Sequence, residues 1–381
     1  MKGTMKKLIM CDFGEYHSAL SRLANYHYCT CFVKDGYEAL WMSNPFNQMI
    51  YFKDKSDYYF KKSITGTKRH KLDDNIFGFA PYSFWLYGNY PGFRNASLAL
   101  KQGKFIYPNI KKTLAKLNFL EAEILWISNP KSGYLAHVVQ YRTLVYRIAD
   151  DYRQFPHYPN VQTIDDFLID KADIIVLSSS TLANRVRERG KEPLILSNGV
   201  ESDHFSRPAG QPQEYKGNYR KKIVYVGAIT FWFDIGLIRN IAEHIEADIF
   251  LIGKPQADVS SLTKYSNIHI LGPRKYETLP GYLQHADVAL IPFIKNDLTD
   301  SVSPIKLYEY CSAGVAVVST NLEEISRIGA PIRIGADHNS FINGIRHYLD
   351  CGYDREILKE YGCRNSWSHR YSEVRKVIAK Q

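Results

Sequence analysis

The sequence predicts an α/β chain built on two open parallel sheets, each with its own hydrophobic core. Three observations lead there. Short apolar runs rich in β-branched residues alternate with helical patterns along the whole chain, as successive βα units require. The length of 381 residues is enough for two cores. Between the two series of runs lies a polar stretch, residues 201–220, with Pro208, Gly210, Pro212 and Gly217, and its composition reads as an interdomain linker over 206–220.

In chain order, strands are expected at residues 7–11, 124–128, 143–148, 174–178 and 194–196, within a first domain of residues 1–205. Ile223 restarts the pattern, and residues 223–226, 249–252, 268–271, 288–292 and 316–319 are the strands of a second domain, 221–365. A last helix begins near residue 366 and carries Trp367 and Tyr371. Residues 43–105 are the least regular part, with aromatics such as Phe46, Tyr51, Phe52, Tyr58, Tyr59 and Phe84 interleaved with Lys53, Lys55, Lys61 and Lys62. That mixture suits either core aromatics ringed by solvated lysines or a surface that is half apolar and half anion-seeking.

With 45% hydrophobic and 23% charged residues, a largely disordered chain is excluded. The cysteines Cys11, Cys29, Cys31, Cys311, Cys351 and Cys363 form no C-x-x-C pair and are expected as small core residues of a reduced, cytoplasmic protein. No apolar stretch reaches the roughly 18 residues of a membrane span. The first ten residues run straight into Cys11-Asp12, so no signal peptide is expected either. Residues 1–150 hold 21 Lys and Arg against 11 Asp and Glu, so the whole surplus of ten positive charges sits there. No helix-turn-helix, zinc-finger or RNP-like pattern accompanies it, and the expected partner is an anionic membrane face rather than nucleic acid.

The segment with most chemistry runs from Ser303 to Thr320. Ser303 can cap a helix, Pro304 suits its first position, and the free N–H groups of the helix N-terminus can meet a phosphate with Lys306 as a point charge. Gly314 closes the helix and the run from Val315 to Thr320 begins a buried strand. This S-P-x-K-x-x-E-Y-x-x-x-G-x-x-V-V pattern resembles the nucleotide-sugar motif of GT-B glycosyltransferases. Three further segments are similar to that fold: strand 223–226 ending in Gly227-Ala228-Ile229, the strand-loop-helix-strand of residues 270–293, and the pair 172–182 and 194–205 with its Asn198-Gly199 turn.

The resemblance implies two Rossmann-like domains facing each other across a cleft, the first for the acceptor and the second for a nucleoside-diphosphate sugar. The terminal helix 366–381 would pack back on the first. The implied donor-binding residues are Gly227, Ile229, Arg274, Phe293, Ser303, Ile305, Lys306 and Glu309, with Lys306 on the phosphates and Glu309 on the ribose side. Residues 144–152, L-V-Y-R-I-A-D-D-Y, narrow the resemblance to the bacterial xanthan-type glucuronosyltransferases, an inverting, membrane-associated group acting on lipid-linked oligosaccharides. Its catalytic base falls on Asp150, with Asp151 competing; His17 and Asn198 are weaker acceptor-side candidates.

Retaining group-one enzymes carry Glu-x7-Glu ending at the Glu309 position, where this chain has Ser301 at the first place unless Asp300 replaces it. Inversion is therefore expected. No Asp-x-Asp occurs and the histidines lack metal spacing, so neither metal nor cofactor is expected and the UDP-sugar is a substrate. Two other readings share these features: a nucleotide-sugar epimerase of the same fold, and a non-catalytic glycan-binding module.

Overall fold

Strands form at each of the expected apolar runs, with helices in the connections between many of them. The computed structural model describes residues 5–16, 24–155, 158–217 and 220–381. They divide into two units, one reaching Leu196 and including Tyr371–Gln381, the other spanning Ser197–Arg370.

In the first unit the strands are β1 (Lys6–Cys11), β2 (Tyr37–Met42), β3 (His70–Asp73), β4 (Ile76–Phe79), β5 (Tyr82–Ser83), β6 (Ile106–Tyr107), β7 (Glu121–Ile127), β8 (Gln140–Ile148), β9 (Ile174–Leu177) and β10 (Leu194–Ile195). An eight-stranded sheet has the order β10-β9-β8-β7-β1-β2-β4-β3, while β5 and β6 pair separately. Among the described residues, only β3 runs antiparallel to its neighbour in the large sheet. Leu8, Ile9, Met10 and Cys11 are all fully buried, as expected of a central strand covered on both faces.

In the second unit, β11 (Lys221–Val226), β12 (Ala247–Ile252), β13 (Ile268–Ile270), β14 (Val288–Ile291), β15 (Ala316–Thr320) and β16 (Arg333–Gly335) form one sheet of order β13-β12-β11-β14-β15-β16. All of its pairings are parallel. Strand order therefore reverses between β11 and β14, and in open α/β sheets ligands bind beyond the carboxyl ends of the strands at such a point.

Several expectations are corrected. The unit boundary falls after Leu196 rather than at residue 205. The expected linker 206–220 is packed onto the second unit, because Tyr215 is fully buried and its hydroxyl donates to the Tyr282 carbonyl at 3.2 Å. Proline and glycine advertised a loop there, and one tyrosine anchors it. The last helix, Trp367–Ile378, belongs to the first unit only from Tyr371 onward. There Tyr371 packs edge-on against Phe32 with ring centres 4.8 Å apart, and its hydroxyl donates to Asp35 at 2.7 Å.

β2, β3 and β4 were not expected from the sequence, and residues 43–105 are more regular than their composition suggested, with helices Gln48–Lys53 and Lys55–Ser63. Their aromatics divide. Phe46 and Tyr58 enter a small core, whereas Phe52 is 84% and Tyr59 57% exposed. All six cysteines are free, and Cys11, Cys29 and Cys311 are buried.

Candidate active site

At the carboxyl end of β11 the chain turns at Gly227 with φ +149°, a conformation that L side chains rarely adopt. A Cβ there would lie 3.0 Å from Lys306 Cε and 3.0 Å from the Tyr225 hydroxyl. Gly253, just past β12, is under tighter constraint, since its Cβ would fall 1.9 Å from the Gly227 carbonyl oxygen. The two glycines let the turns lie against each other and let the Lys306 side chain cross the end of the sheet.

Lys306 comes from the helix Ile305–Ala313, which Gly314 ends at φ +70°. The helix is tied to β11 by Tyr310, whose hydroxyl accepts from the Val226 amide at 2.8 Å and donates to the Val226 carbonyl at 3.1 Å. The Lys306 ammonium lies 4.8 Å from the Phe293 ring centre and 5.5 Å from that of Tyr225, within cation–π range of both. Of the helix's first-turn N–H groups, that of Leu307 donates to the Pro304 carbonyl at 3.1 Å, and those of Ile305 and Lys306 have no carbonyl partner within the helix. Together they make a site for an anion.

Burial pushes the Lys306 ammonium down to about 8, with Glu309 one turn along opposing the shift. Glu309 is pushed up to about 7 by burial, against the pull of Lys306 and with Glu201 adding to the rise. Glu201 accepts a hydrogen bond from the Tyr276 hydroxyl at 3.1 Å, and the Tyr276 ring stacks on His204 at 4.4 Å. The site thus pairs a cation and helix amides with carboxylates that can accept from ligand hydroxyls.

The sequence-derived residues fare differently. Gly227, Phe293, Lys306 and Glu309 converge here. Ser303 does not cap the helix, whose cap position is Pro304; its hydroxyl instead accepts from the Asn198 amide at 3.2 Å. Asn198 Nδ2 also donates to the Ser303 carbonyl at 2.6 Å, so Asn198 holds the loop before Ile305. Ile229 is buried, and its N–H donates to Lys254 while its carbonyl accepts from Gln256 and Ala257, which leaves it shaping the loop. The Arg274 side chain is held by Glu214 at 2.9 Å and by the Leu271 carbonyl at 2.5 Å, leaving only its main chain for a ligand. Gly253 and Glu201 were missed as site residues. A glycine directly after an apolar run is the signal for the first; the second has none beyond its place after the Asn198-Gly199 turn.

In the first unit Asp150 follows β8. Burial raises its pKa and Asp151 adds to the rise, while Arg147 opposes it. Asp151 itself is engaged by Arg153 through two hydrogen bonds of 2.7 Å and caps the turn Tyr152–Gln154. Burial works against its charge, yet the bonds from Arg153 prevail and hold its carboxyl below the usual range. In the second unit Asp300 accepts from the Glu323 amide at 2.8 Å and faces Lys295 at 3.5 Å, and Ser301 is buried with its hydroxyl on the Leu298 carbonyl. His17 lies outside the described residues.

Residues 220–350 match the family model described as "Glycosyl transferases group 1". The chain is 31% identical over 232 residues to the Bacillus subtilis protein named "Putative teichuronic acid biosynthesis glycosyltransferase TuaH", the match spanning 56% of this chain and 58% of that relative. Among solved structures it is similar to sucrose-phosphate synthase from Thermosynechococcus elongatus, with TM-score 0.72, 11% identity and 98% of each chain covered. It is also similar to HepE from Anabaena in complex with UDP, with TM-score 0.65, 12% identity and coverage of 99% of this chain and 100% of the other. At such identities the structural likeness establishes the fold alone: the chain has the GT-B fold, and its residues 220–350 match the group 1 glycosyltransferase model, while the chain spans less than two thirds of the curated relative's length.

Proposed function

We propose that this glycosyltransferase moves a sugar from UDP to a polysaccharide or lipid-linked glycan acceptor with inversion at the anomeric carbon, working at an anionic membrane face. The observation that carries the reading is the convergence of Lys306, Gly227 and Glu309 where strand order reverses between β11 and β14. A diphosphate laid on the helix N-terminus would meet the Lys306 charge, and Glu309 would accept from ribose hydroxyls. UDP is favoured because the similar HepE was solved with it, and a polysaccharide acceptor because of the name carried by TuaH.

In the proposed step Asp150 takes the proton of an acceptor hydroxyl, whose oxygen attacks the anomeric carbon as the bond to UDP breaks. The electron pair leaves with the diphosphate, stabilised by Lys306 and the helix amides. Inversion is supported by the engagement of Asp300 and Ser301 in local hydrogen bonds, which leaves no carboxylate at the place that retaining relatives use. Membrane docking is supported by the exposed Phe52 and Tyr59 beside the exposed Lys53, Lys55 and Lys62.

The test is a panel of UDP-sugars incubated with glycan acceptors, with the product's anomeric configuration read by proton NMR. Conversion of a donor into another UDP-sugar without acceptor would replace this reading with the epimerase. Nucleotide-sugar binding with no release of UDP under any acceptor would leave a binding module.

A further inference from the structure

We propose that a second cavity, lying wholly within the first unit, binds the phosphate of a phosphorylated sugar. It rests on the reading of that unit as the acceptor-holding part. The cavity has a volume of about 480 Å³, and its lining includes Lys53, Lys61, Lys131, Tyr87, Tyr90 and Phe93. That size suits one small polar ligand.

Its position follows from the topology. Order in the eight-stranded sheet reverses between β1 and β7, and the cavity is lined by Asn44, two residues past β2, and Lys131, four past β7. Asn129 sets that end: its Nδ2 donates to Asn44 at 2.7 Å, and its Oδ1 accepts from the Lys131 amide at 3.0 Å. These bonds pin the backbone from which Lys131 reaches into the cavity.

The three lysines are not equivalent. Lys61 is buried and paired with Asp57 at 2.8 Å and Glu15 at 3.5 Å, so its charge is answered from within the protein. Lys131 has its ammonium 4.8 Å from the Tyr158 ring centre, and among the described residues neither it nor Lys53 has a carboxylate within ion-pair distance. Burial, with Lys53 and Lys61 adding repulsion, pushes Lys131 down to about 8. Two unanswered cations on one cavity match a phosphate dianion. The lining has no arginine, and lysine serves a phosphate as a point charge. The aromatic rings of Tyr87, Tyr90 and Phe93 then offer faces for the apolar side of a sugar ring.

The experiment is calorimetry on the full chain with glucose 6-phosphate, glucose and inorganic phosphate. Glucose 6-phosphate should bind, phosphate more weakly and glucose not measurably. Lys131→Met and Lys53→Met should each weaken glucose 6-phosphate about tenfold or more while UDP affinity is unchanged. At pH 8.5 binding should take up protons as Lys131 is recharged, read as a dependence of the heat on buffer ionisation. A protein that binds UDP but not glucose 6-phosphate would overturn the proposal, as would loss of both ligands on Lys306→Ala, which would assign the phosphate to the nucleotide site. Binding only to vesicles containing phosphatidic acid would overturn it in favour of a lipid headgroup. If UDP binding also fails in the unmodified chain while glucose 6-phosphate still binds, the donor reading falls and this one stands.

Discussion

The Lys306 ammonium lies 4.8 Å from the centre of the Phe293 ring, which follows β14, the strand paired with β11 where the sheet order reverses. A half-buried cation held against aromatic faces, with a carboxylate one turn further along its helix, is poised to gain from an incoming diphosphate. Replacing Lys306 by Ala should weaken UDP binding by about 1.5 to 3 kcal/mol, the range for a hydrogen bond to a charged group. Calorimetry on a folded variant checks it, and unchanged affinity would remove Lys306 from the site.

Gly227→Ala tests the same contact from the other side. Its Cβ would press on Lys306 Cε, on the Tyr225 hydroxyl and on a backbone that favours glycine, so the lysine must move. UDP affinity should fall by about tenfold or more with a smaller loss of thermal stability, because strain of this kind costs about 1 to 3 kcal/mol. Full affinity in the variant would mean that the position of Lys306 against Gly227 is irrelevant to the nucleotide.

The pH dependence follows from the direction of the shifts. A diphosphate favours the protonated form of Lys306, whose pKa is lowered to about 8, so UDP affinity should decline as pH rises through that value. Glu309 opposes the lowering, and Glu309→Gln removes that support. The alkaline decline should therefore begin at lower pH in the variant. Calorimetric titrations from pH 6 to 9 compare the two, and superimposable profiles would contradict the coupling.

Asp150→Asn should lower transfer by roughly 100- to 10,000-fold while UDP affinity stays within twofold, as expected for loss of a general base. Asp151→Asn should behave differently, since its carboxylate is bound by Arg153 and caps a turn. It should lower the melting temperature more than turnover. A reversal of the two phenotypes in steady-state kinetics and thermal melts would move the base by one residue.

Sedimentation with vesicles of graded anionic content tests membrane docking. The wild-type chain should bind more as anionic lipid increases and lose part of that binding with salt. Phe52→Ser together with Tyr59→Ser should remove most of the salt-resistant part, since both rings are exposed. Equal, negligible binding to neutral and anionic vesicles at low salt would end the membrane reading.

Much of this was legible in the chain because it is local. The helix bearing Lys306 and Glu309 declares itself through residues three and four apart, the closing Gly314 and the apolar run behind it, all of which act over one or two turns. Most strand runs of the two sheets, though not β2, β3, β4 and β16, were visible for the same reason, as buried segments bounded by turns. Other features depended on which strands lie side by side. Gly227 meets Lys306 and Gly253, Asn198 holds Ser303, Glu201 acts on Glu309, and Lys131 joins Lys53 and Lys61. Each pair is far apart in sequence, and spacing along a chain carries no information about contacts that a crossover creates. Composition could likewise name the aromatics and lysines of residues 43–105, but only packing separated Phe46 and Tyr58 inside from Phe52 and Tyr59 outside. Hydrophobicity determines that such residues seek burial; the limited area of a small core determines which of them obtain it.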